Sequence, residues 1–285
     1  QQLNANTIRT YYPPVKDLLD AFAKYGIMVI VGFTNFDDRY VPTGQKFDIQ
    51  SGGYLTYIRQ FKNHPAVLIW ELGNEYNYRP EWFNGSVSNW YSILESAAKE
   101  IKKVDPSHPV STSHGAEKDL AVAAKMPSLD IVGLTVYRAD SLGGLPQQWK
   151  QVSTKPMYLA EFGNNRTTNP DAQARSAETL WQQIQNEYSV GSLTGALFMT
   201  WQDEAWKAGN PSAYDPNAEE HLGMLDVNRK PKPAYNAFKK IWTGGFSSLE
   251  LFAAVAGIGI LAFTGEKFGI VIAAAYAGLL LVEVL

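Results

Sequence analysis

Short apolar runs alternate with longer amphipathic stretches along the first 245 residues of the chain. Several apolar runs are continuous rather than alternating, which is typical of strands in a parallel sheet with covered faces. The predicted strands are Asn6–Thr10, Ile27–Phe33, Val67–Glu71, Val110–Ser113, Ile131–Val136, Met157–Glu161 and Ala196–Trp201. The predicted helices are Val15–Lys24, Tyr54–Lys62, Ser88–Val104, Leu145–Val152, Asp171–Tyr188 and a closing Ala234–Trp242. Strands joined by helical crossovers indicate α/β architecture, and a barrel fits the pattern better than an open sheet.

The end of the chain has a different composition. Two uncharged apolar runs, Leu251–Gly265 and Phe268–Val282, flank the pair Glu266-Lys267. We predict that residues 246–285 form a transmembrane helical hairpin, in which 249–285 contact the membrane, after a barrel domain of residues 1–245. A buried helical hairpin in a soluble fold is the alternative, because two runs of this length are short for spanning a bilayer.

Composition excludes several classes of protein. The net charge of −3 provides no basic surplus for binding phosphates, so nucleic acid is not an expected partner. The chain has no cysteine, and its four histidines show no metal-ligand spacing, so no metal site is expected. No dinucleotide fingerprint or phosphate loop follows a predicted strand, and we expect no cofactor.

Glutamates stand at the ends of two predicted strands. The segment His64–Tyr76 takes a buried strand into Glu71 and then Glu75, and a later strand ends in Glu161. An unpaired buried carboxylate is costly, so such a residue needs a partner or a function. Two carboxyl groups facing one cleft are what cleavage of a glycosidic bond requires, one as acid and one as nucleophile or base.

These motifs resemble a known group of enzymes. Asn74-Glu75 after WELG, and Glu161 in YLAEFG, are similar to the acid/base and nucleophile signatures of the clan A retaining glycoside hydrolases. The resemblance covers about residues 4–242 and includes family 2, family 5 and β-1,3-glucan-active barrels. It implies a (β/α)₈ TIM barrel. Aligned by motif, the predicted strands are the second to the eighth, so we expect the first strand to lie upstream of Gln1 or on another chain.

The resemblance implies a role for each matching residue. Glu161 is the expected nucleophile and Glu75 the acid/base, with Asn74 bonding the sugar 2-hydroxyl. Arg9 is expected beneath the nucleophile, and Tyr137 is expected to hold it. Further expected sugar contacts are Trp201, Trp82, Trp206 and His114, with Tyr11 and Tyr12 as additional aromatic candidates.

Some of these residues have a structural alternative. Arg9 and Tyr137 could make ordinary hydrogen bonds in the core, and His114 could be a loop histidine with no sugar contact. A buried ion pair is the alternative for Glu75 and Glu161. We interpret Glu71 as a supporting partner at the strand end rather than a catalytic group.

The sequence therefore predicts a retaining β-glycosidase or transglycosylase that acts on a β-linked glucan or related polysaccharide. The alternative is a non-catalytic glycan-binding barrel in a membrane polysaccharide-synthesis complex. Because polysaccharides lie mostly outside the cytoplasm, we expect a membrane-anchored protein with an extracytoplasmic barrel. If the tail is instead a soluble hairpin, a secreted enzyme is expected.

Overall fold

The computed structural model describes residues 2–34, 48–49, 51–116, 118–207 and 214–243. Contacts divide these residues into two compact units. The first unit contains residues 6–135 and 148–160, and the second contains residues 2–5, 136–147 and the described residues from 161 onward.

Strands and helices alternate along the described residues. The strands are β1 (Thr7–Thr10), β2 (Met28–Phe33), β3 (Val67–Asn74), β4 (Val110–Gly115), β5 (Val132–Val136), β6 (Met157–Phe162) and β7 (Ala196–Phe198). The helices are α1 (Lys16–Lys24), α2 (Tyr54–Phe61), α3 (Val87–Val104), α4 (Leu120–Ala124), α5 (Leu145–Val152), α6 (Pro170–Ser189) and α7 (Pro233–Thr243). Short 3₁₀ helices cover Tyr76–Tyr78, Pro80–Phe83 and Ala218–His221.

The sheet has the order of the chain, β1 to β7, and the pairs from β1 to β5 are parallel. This arrangement confirms the predicted series of parallel strands with helical crossovers. The described part of the chain contains seven strands, the number predicted from the sequence. An additional first strand upstream of Gln1 stays a prediction.

The sheet is most apolar along β2 and β3, and these two strands are buried accordingly. In β2 and β3 the described side chains are almost all buried, and Val31, Ile69 and Trp70 have no exposed surface. The covering helices are amphipathic: α3 turns Trp90, Leu94 and related residues inward and leaves its lysines outside. The apolar faces thus bring the carboxyl ends of the strands to one edge, where polar residues follow.

Most predicted element boundaries agree with the structure within two residues, and the larger differences are these. β3 continues past Glu71 to Asn74, and β7 ends at Phe198 rather than Trp201. The short helix α4 was not predicted, since its alanine-rich segment is too short to show helical periodicity.

The predicted apolar hairpin, residues 249–285, lies outside the described residues. Within the part of the chain that the structure describes, no helix combines the length and apolar character needed to cross a bilayer. The domain boundary after residue 245 and the membrane contact stay predictions.

Candidate active site

A bulge at the end of β3 sets the direction of its polar side chains. Glu71 pairs with Ser111 of β4, but three residues later Asn74 pairs with Ser113, so β3 contains one extra residue. Gly73 lies inside this irregularity at a φ of +72°, a conformation that favours glycine. Because Ser111 and Ser113 lie on one face of β4, the bulge places Glu71 and Asn74 on one face of β3.

Arg9 joins these two residues. From β1 its Nε donates to Glu71 Oε1 at 2.6 Å, and a terminal guanidinium nitrogen donates to Asn74 Oδ1 at 2.8 Å. Both members of the ion pair are buried, with side-chain exposures of 5% for Arg9 and 0% for Glu71. The guanidinium also lies over the ring of Tyr11, 4.8 Å from its centroid. The predicted contact between Arg9 and Glu161 stays a prediction.

The second oxygen of Glu71 is also engaged. Tyr158 of β6 donates its hydroxyl to Glu71 Oε2, and the Tyr158 hydroxyl lies 3.1 Å from Ser111 Oγ. Burial raises the pKa of Tyr158 well above its ordinary value, with the Glu71 carboxylate as the next cause, so the phenol remains a donor. Glu71 is therefore held from two sides, which agrees with its predicted supporting role.

Glu75 stands just beyond the end of β3 in a different environment. Its φ of 53° is left-handed, and its backbone N–H donates to Ser113 O at 2.9 Å. Thr135 of β5 donates its hydroxyl to Glu75 Oε1. Unlike Glu71, Glu75 is only half-buried, as is Asn74 beside it. The β3 end thus presents an amide and a carboxyl group at the surface of the first unit.

Glu161 lies near the end of β6 and belongs to the second unit. Tyr137, directly after β5, donates its hydroxyl to Glu161 Oε2 at 2.6 Å. Glu161 is 5% exposed, so the carboxyl group is held with little contact with bulk water. The structure places the predicted nucleophile and its predicted tyrosine partner in contact.

Exposed tryptophans lie in both units. In the first unit Trp82 packs edge-on against Tyr76, with Arg79 over its indole. In the second unit Trp201 and Trp206 are 55% and 60% exposed and line the same cavity of about 510 Å³. Trp82 is 46% exposed, so each of the three tryptophans presents a large apolar surface to solvent, as expected of a ligand platform.

An ion pair fixes the segment that carries Trp201 and Trp206. Lys232 Nζ donates to the two oxygens of Asp203 at 2.8 and 3.1 Å, and Gly223 N donates to Asp203 Oδ1 at 2.7 Å. A Cβ at Gly223 would lie 2.1 Å from Asp203 N, so only glycine permits this approach. Trp201 and Trp206 therefore flank a residue, Asp203, that these hydrogen bonds hold in place.

His114 lies in a position that argues against the predicted sugar contact. It is 1% exposed, stacks on Tyr91 of α3, and has its Nε2 2.9 Å from the Tyr91 hydroxyl. Burial lowers the pKa of His114 to about 4, so the ring is neutral at neutral pH. Side chains alternate along β4, and His114 points to the helix layer rather than to the Ser111 and Ser113 face.

Sequence reasoning missed several supporting residues. Thr135 precedes Tyr137 by two positions and therefore shares its side of the chain, a period-two signal that was present in the segment GLTVY. Tyr158 and Asp203 gave no such signal, because their partners Glu71 and Lys232 are distant in sequence. No cluster of His, Asp and Glu in the described ranges could hold a metal ion.

The family model for the TIM barrel domain of glycosyl hydrolases family 2 matches residues 52–244. The chain belongs to this family. Its membership agrees with the observed β/α series and with the predicted clan. It also narrows the earlier set of similar families to one.

Curated relatives are named for two activities. A β-glucuronidase of Sus scrofa is 27% identical over 81% of this chain and 37% of its own length. A β-glucuronidase of Paenibacillus borealis is 31% identical over 84% of the chain and 43% of its own length. A β-galactosidase of Vibrio cholerae is 23% identical and matched over 24% of its length. The family 2 chain thus spans less than half of each of these relatives.

Solved structures share the fold. A Bacteroides uniformis β-glucuronidase 2, covalently bound to cyclophellitol-6-carboxylate aziridine, matches with a TM-score of 0.65 at 17% identity, over 86% of this chain and 32% of that one. A Ruminococcus gnavus β-glucuronidase in complex with D-glucuronic acid matches with a TM-score of 0.64 at 21% identity, over 85% and 44%. At these identities the similarity shows the fold alone.

Proposed function

We propose that this family 2 chain is the catalytic barrel of a retaining β-glycosidase. The observation that carries the proposal is Glu161, buried near the end of β6 with the Tyr137 hydroxyl 2.6 Å from its Oε2. A carboxylate that accepts a hydrogen bond from a fixed donor is aligned to attack, which a nucleophile needs. Glu75 is the acid/base in the proposal, and Asn74 contacts the substrate.

The reaction is a double displacement. Glu161 attacks the anomeric carbon while Glu75 gives a proton to the leaving oxygen, so that a covalent glycosyl-enzyme forms and the aglycone departs. Glu75 then takes a proton from a water molecule, and this water attacks the same carbon. Glu161 is released, and the sugar product has the original anomeric configuration. The proposal requires the two carboxyl groups to approach to about 5–5.5 Å in the working enzyme.

Loss of the nucleophile tests this proposal. Wild type is assayed on 4-nitrophenyl β-glucuronide, β-galactoside and β-glucoside, and Glu161→Gln should reduce turnover to the background of the assay because an amide cannot form the glycosyl ester. Glu100→Gln on the exposed face of α3 is the matched control and should keep full activity. Turnover by Glu161→Gln at the wild-type rate would contradict the proposal.

The relatives' names suggest the first substrates to test. β-Glucuronides and β-galactosides come first because the curated relatives are named for them. The β-linked glucan predicted from the sequence is a third candidate, tested with defined β-1,3 and β-1,4 oligosaccharides. An added acceptor sugar separates hydrolysis from transglycosylation, since both reactions share the covalent intermediate.

Trp201, Trp206 and Trp82 are proposed to stack on sugar rings. Their exposed faces, together with the cavity shared by Trp201 and Trp206, support this role. Trp206→Ala should raise KM for an oligosaccharide several-fold without changing the melting temperature, because the side chain is 60% exposed. An unchanged KM for every oligosaccharide would remove Trp206 from the site.

Membrane anchoring and an extracytoplasmic barrel are also proposals. They depend on the apolar composition of residues 249–285. The full chain should partition into the detergent phase of Triton X-114, and a chain ending at residue 245 should stay in the aqueous phase. Aqueous partition of the full chain would favour the soluble hairpin.

A further inference from the structure

We propose that Glu71 is a positioning residue that acts through Arg9 to orient the amide of Asn74 toward the sugar. The inference rests on the proposed glycosidase function and extends it to a residue outside the catalytic pair. It joins four observations: a buried ion pair, a buried tyrosine, a strand bulge and a half-buried asparagine.

Glu71 is not itself a catalytic residue. Its side chain has no exposed surface, Arg9 Nε binds one oxygen at 2.6 Å, and the Tyr158 hydroxyl binds the other. A carboxylate enclosed in this way has no path to a substrate. Such a group is retained for what it holds, because removing one partner of a buried pair leaves a costly unpaired charge.

The chemistry of the guanidinium fixes the amide of Asn74. Arginine has only donors, so the atom of Asn74 that lies 2.8 Å from Arg9 must be the carbonyl oxygen Oδ1. The amide can no longer rotate by 180° without placing its amino group against a cation. Nδ2 is therefore directed away from Arg9, and Asn74 meets the substrate as a donor.

The bulge makes this contact possible. Residues three apart on a regular strand point to opposite faces, so one arginine could not bind both Glu71 and Asn74. The extra residue at Gly73 returns Asn74 to the Glu71 face, as their pairing with Ser113 and Ser111 shows. The same guanidinium then links Glu71, buried inside β3, to the half-buried last residue of the strand, Asn74.

A donor from Asn74 to the sugar 2-hydroxyl gains strength in the oxocarbenium-like transition state. An amide of uncertain orientation would lose part of that gain. Glu71 therefore affects the reaction only where the substrate has a 2-hydroxyl. This selectivity separates a positioning role from a merely structural one.

The experiment compares two substrates. The 4-nitrophenyl β-glycoside that wild type hydrolyses fastest is paired with its 2-deoxy analogue, and kcat/KM is measured for wild type, Glu71→Gln and Asn74→Ala. We expect wild type to prefer the 2-hydroxy substrate, and both variants to lose roughly tenfold or more of that preference. Glu100→Gln should keep the wild-type preference.

Two results would overturn the inference. One is that Glu71→Gln lowers kcat/KM by the same factor on the 2-hydroxy and 2-deoxy substrates, which indicates general damage to the barrel. The other is full wild-type preference in Glu71→Gln while Asn74→Ala loses it. If Glu71→Gln does not fold, as judged by near-ultraviolet circular dichroism, Tyr158→Phe replaces it, because it removes one hydrogen bond and no charge. Tyr158→Phe should then lose several-fold of the preference for the 2-hydroxy substrate. If Tyr158→Phe keeps the full wild-type preference, the inference is contradicted.

Failure of the proposed function gives a different result. If Glu161→Gln retains wild-type turnover, the glycosidase assignment fails for the whole site. If Glu161→Gln is inactive and Glu71→Gln keeps its 2-hydroxyl preference, only the positioning role of Glu71 fails.

Discussion

Glu71 and Glu75 are four residues apart on the same segment and have opposite surroundings. Glu71 has no exposed surface and is enclosed by Arg9 and Tyr158. Glu75 is half-buried beyond the last residue of β3 and is contacted by the hydroxyl of Thr135. Residue type does not separate them; their position relative to the end of the strand does.

In the proposed mechanism this difference lets one segment supply both a supporting carboxylate, Glu71, and the acid/base, Glu75. A carboxylate buried inside the sheet needs a partner, and Glu71 forms its ion pair with Arg9. Past the bulge the chain leaves the sheet, and the Glu75 carboxyl group there is only half-buried, as the proposed acid/base role requires.

The largest expected effect is on turnover by the acid/base variant. Glu75→Gln should lower kcat/KM by about 10²–10⁴ for a glycoside with a poor leaving group, because no proton reaches the departing oxygen. Its melting temperature should stay at the wild-type value. With a dinitrophenyl leaving group and added azide, turnover should recover as the β-glycosyl azide, since azide needs no general base.

Glu71→Ala, unlike Glu75→Gln, should destabilise the fold. It removes the carboxylate that forms the buried ion pair with Arg9, so the free energy of unfolding should fall by about 3–5 kcal/mol. Urea denaturation of the two variants gives the comparison directly. If Glu75→Gln loses as much stability as Glu71→Ala, the distinction between buried and open carboxyl groups is wrong.

His114 tests whether the β4 side of the site is also closed to water. Its folded pKa of about 4 lies below the ordinary 6.5, so the unfolded chain binds more protons between these values. Stability should therefore fall by about 3 kcal/mol as pH drops from 6.5 to 4, and be constant for this residue above 6.5. His114→Gln should flatten that slope in urea titrations, and an unchanged slope would show that the ring is accessible.

Gly73→Ala addresses the bulge between the two glutamates. A Cβ there would lie 2.6 Å from the Trp90 ring at a φ of +72°, so strain and overpacking should cost about 2 kcal/mol or slightly more. The change should also lower the 2-hydroxyl preference, because Asn74 moves relative to Arg9. Gly52→Ala is the control for backbone strain alone, having a similar φ of +80° with no atom near its Cβ.

Much of this architecture was readable from the sequence. Continuous apolar runs such as MVIVGF predicted the parallel strands, and the places of Glu75 and Glu161 at strand ends singled out these two glutamates. Tyr137 was expected only from the resemblance to clan A glycoside hydrolases. The contacts of Glu71 were not readable, because Arg9 and Tyr158 are 62 and 87 residues away in sequence. The bulge in β3 could not be predicted either, because a single glycine, Gly73, does not indicate how β3 pairs with β4.

His114 shows the limit of reasoning from strand ends. It follows Ser113 near the end of a polar strand, where a sugar contact was expected, yet alternation turns it to Tyr91. A shift of one residue in the assumed register moves a side chain from one face to the other. The local sequence pattern therefore predicted strand β4 but not the face of the sheet on which His114 lies.

Covalent trapping tests the central claim most directly. Wild type is incubated with cyclophellitol aziridines that carry either a carboxylate or a hydroxymethyl group, and the labelled peptide is identified by mass spectrometry. The account predicts a single adduct on Glu161, which Glu161→Gln abolishes and Glu71→Gln does not. An adduct on Glu71 or Glu75, or no adduct with an enzyme that turns over its substrate, would contradict it.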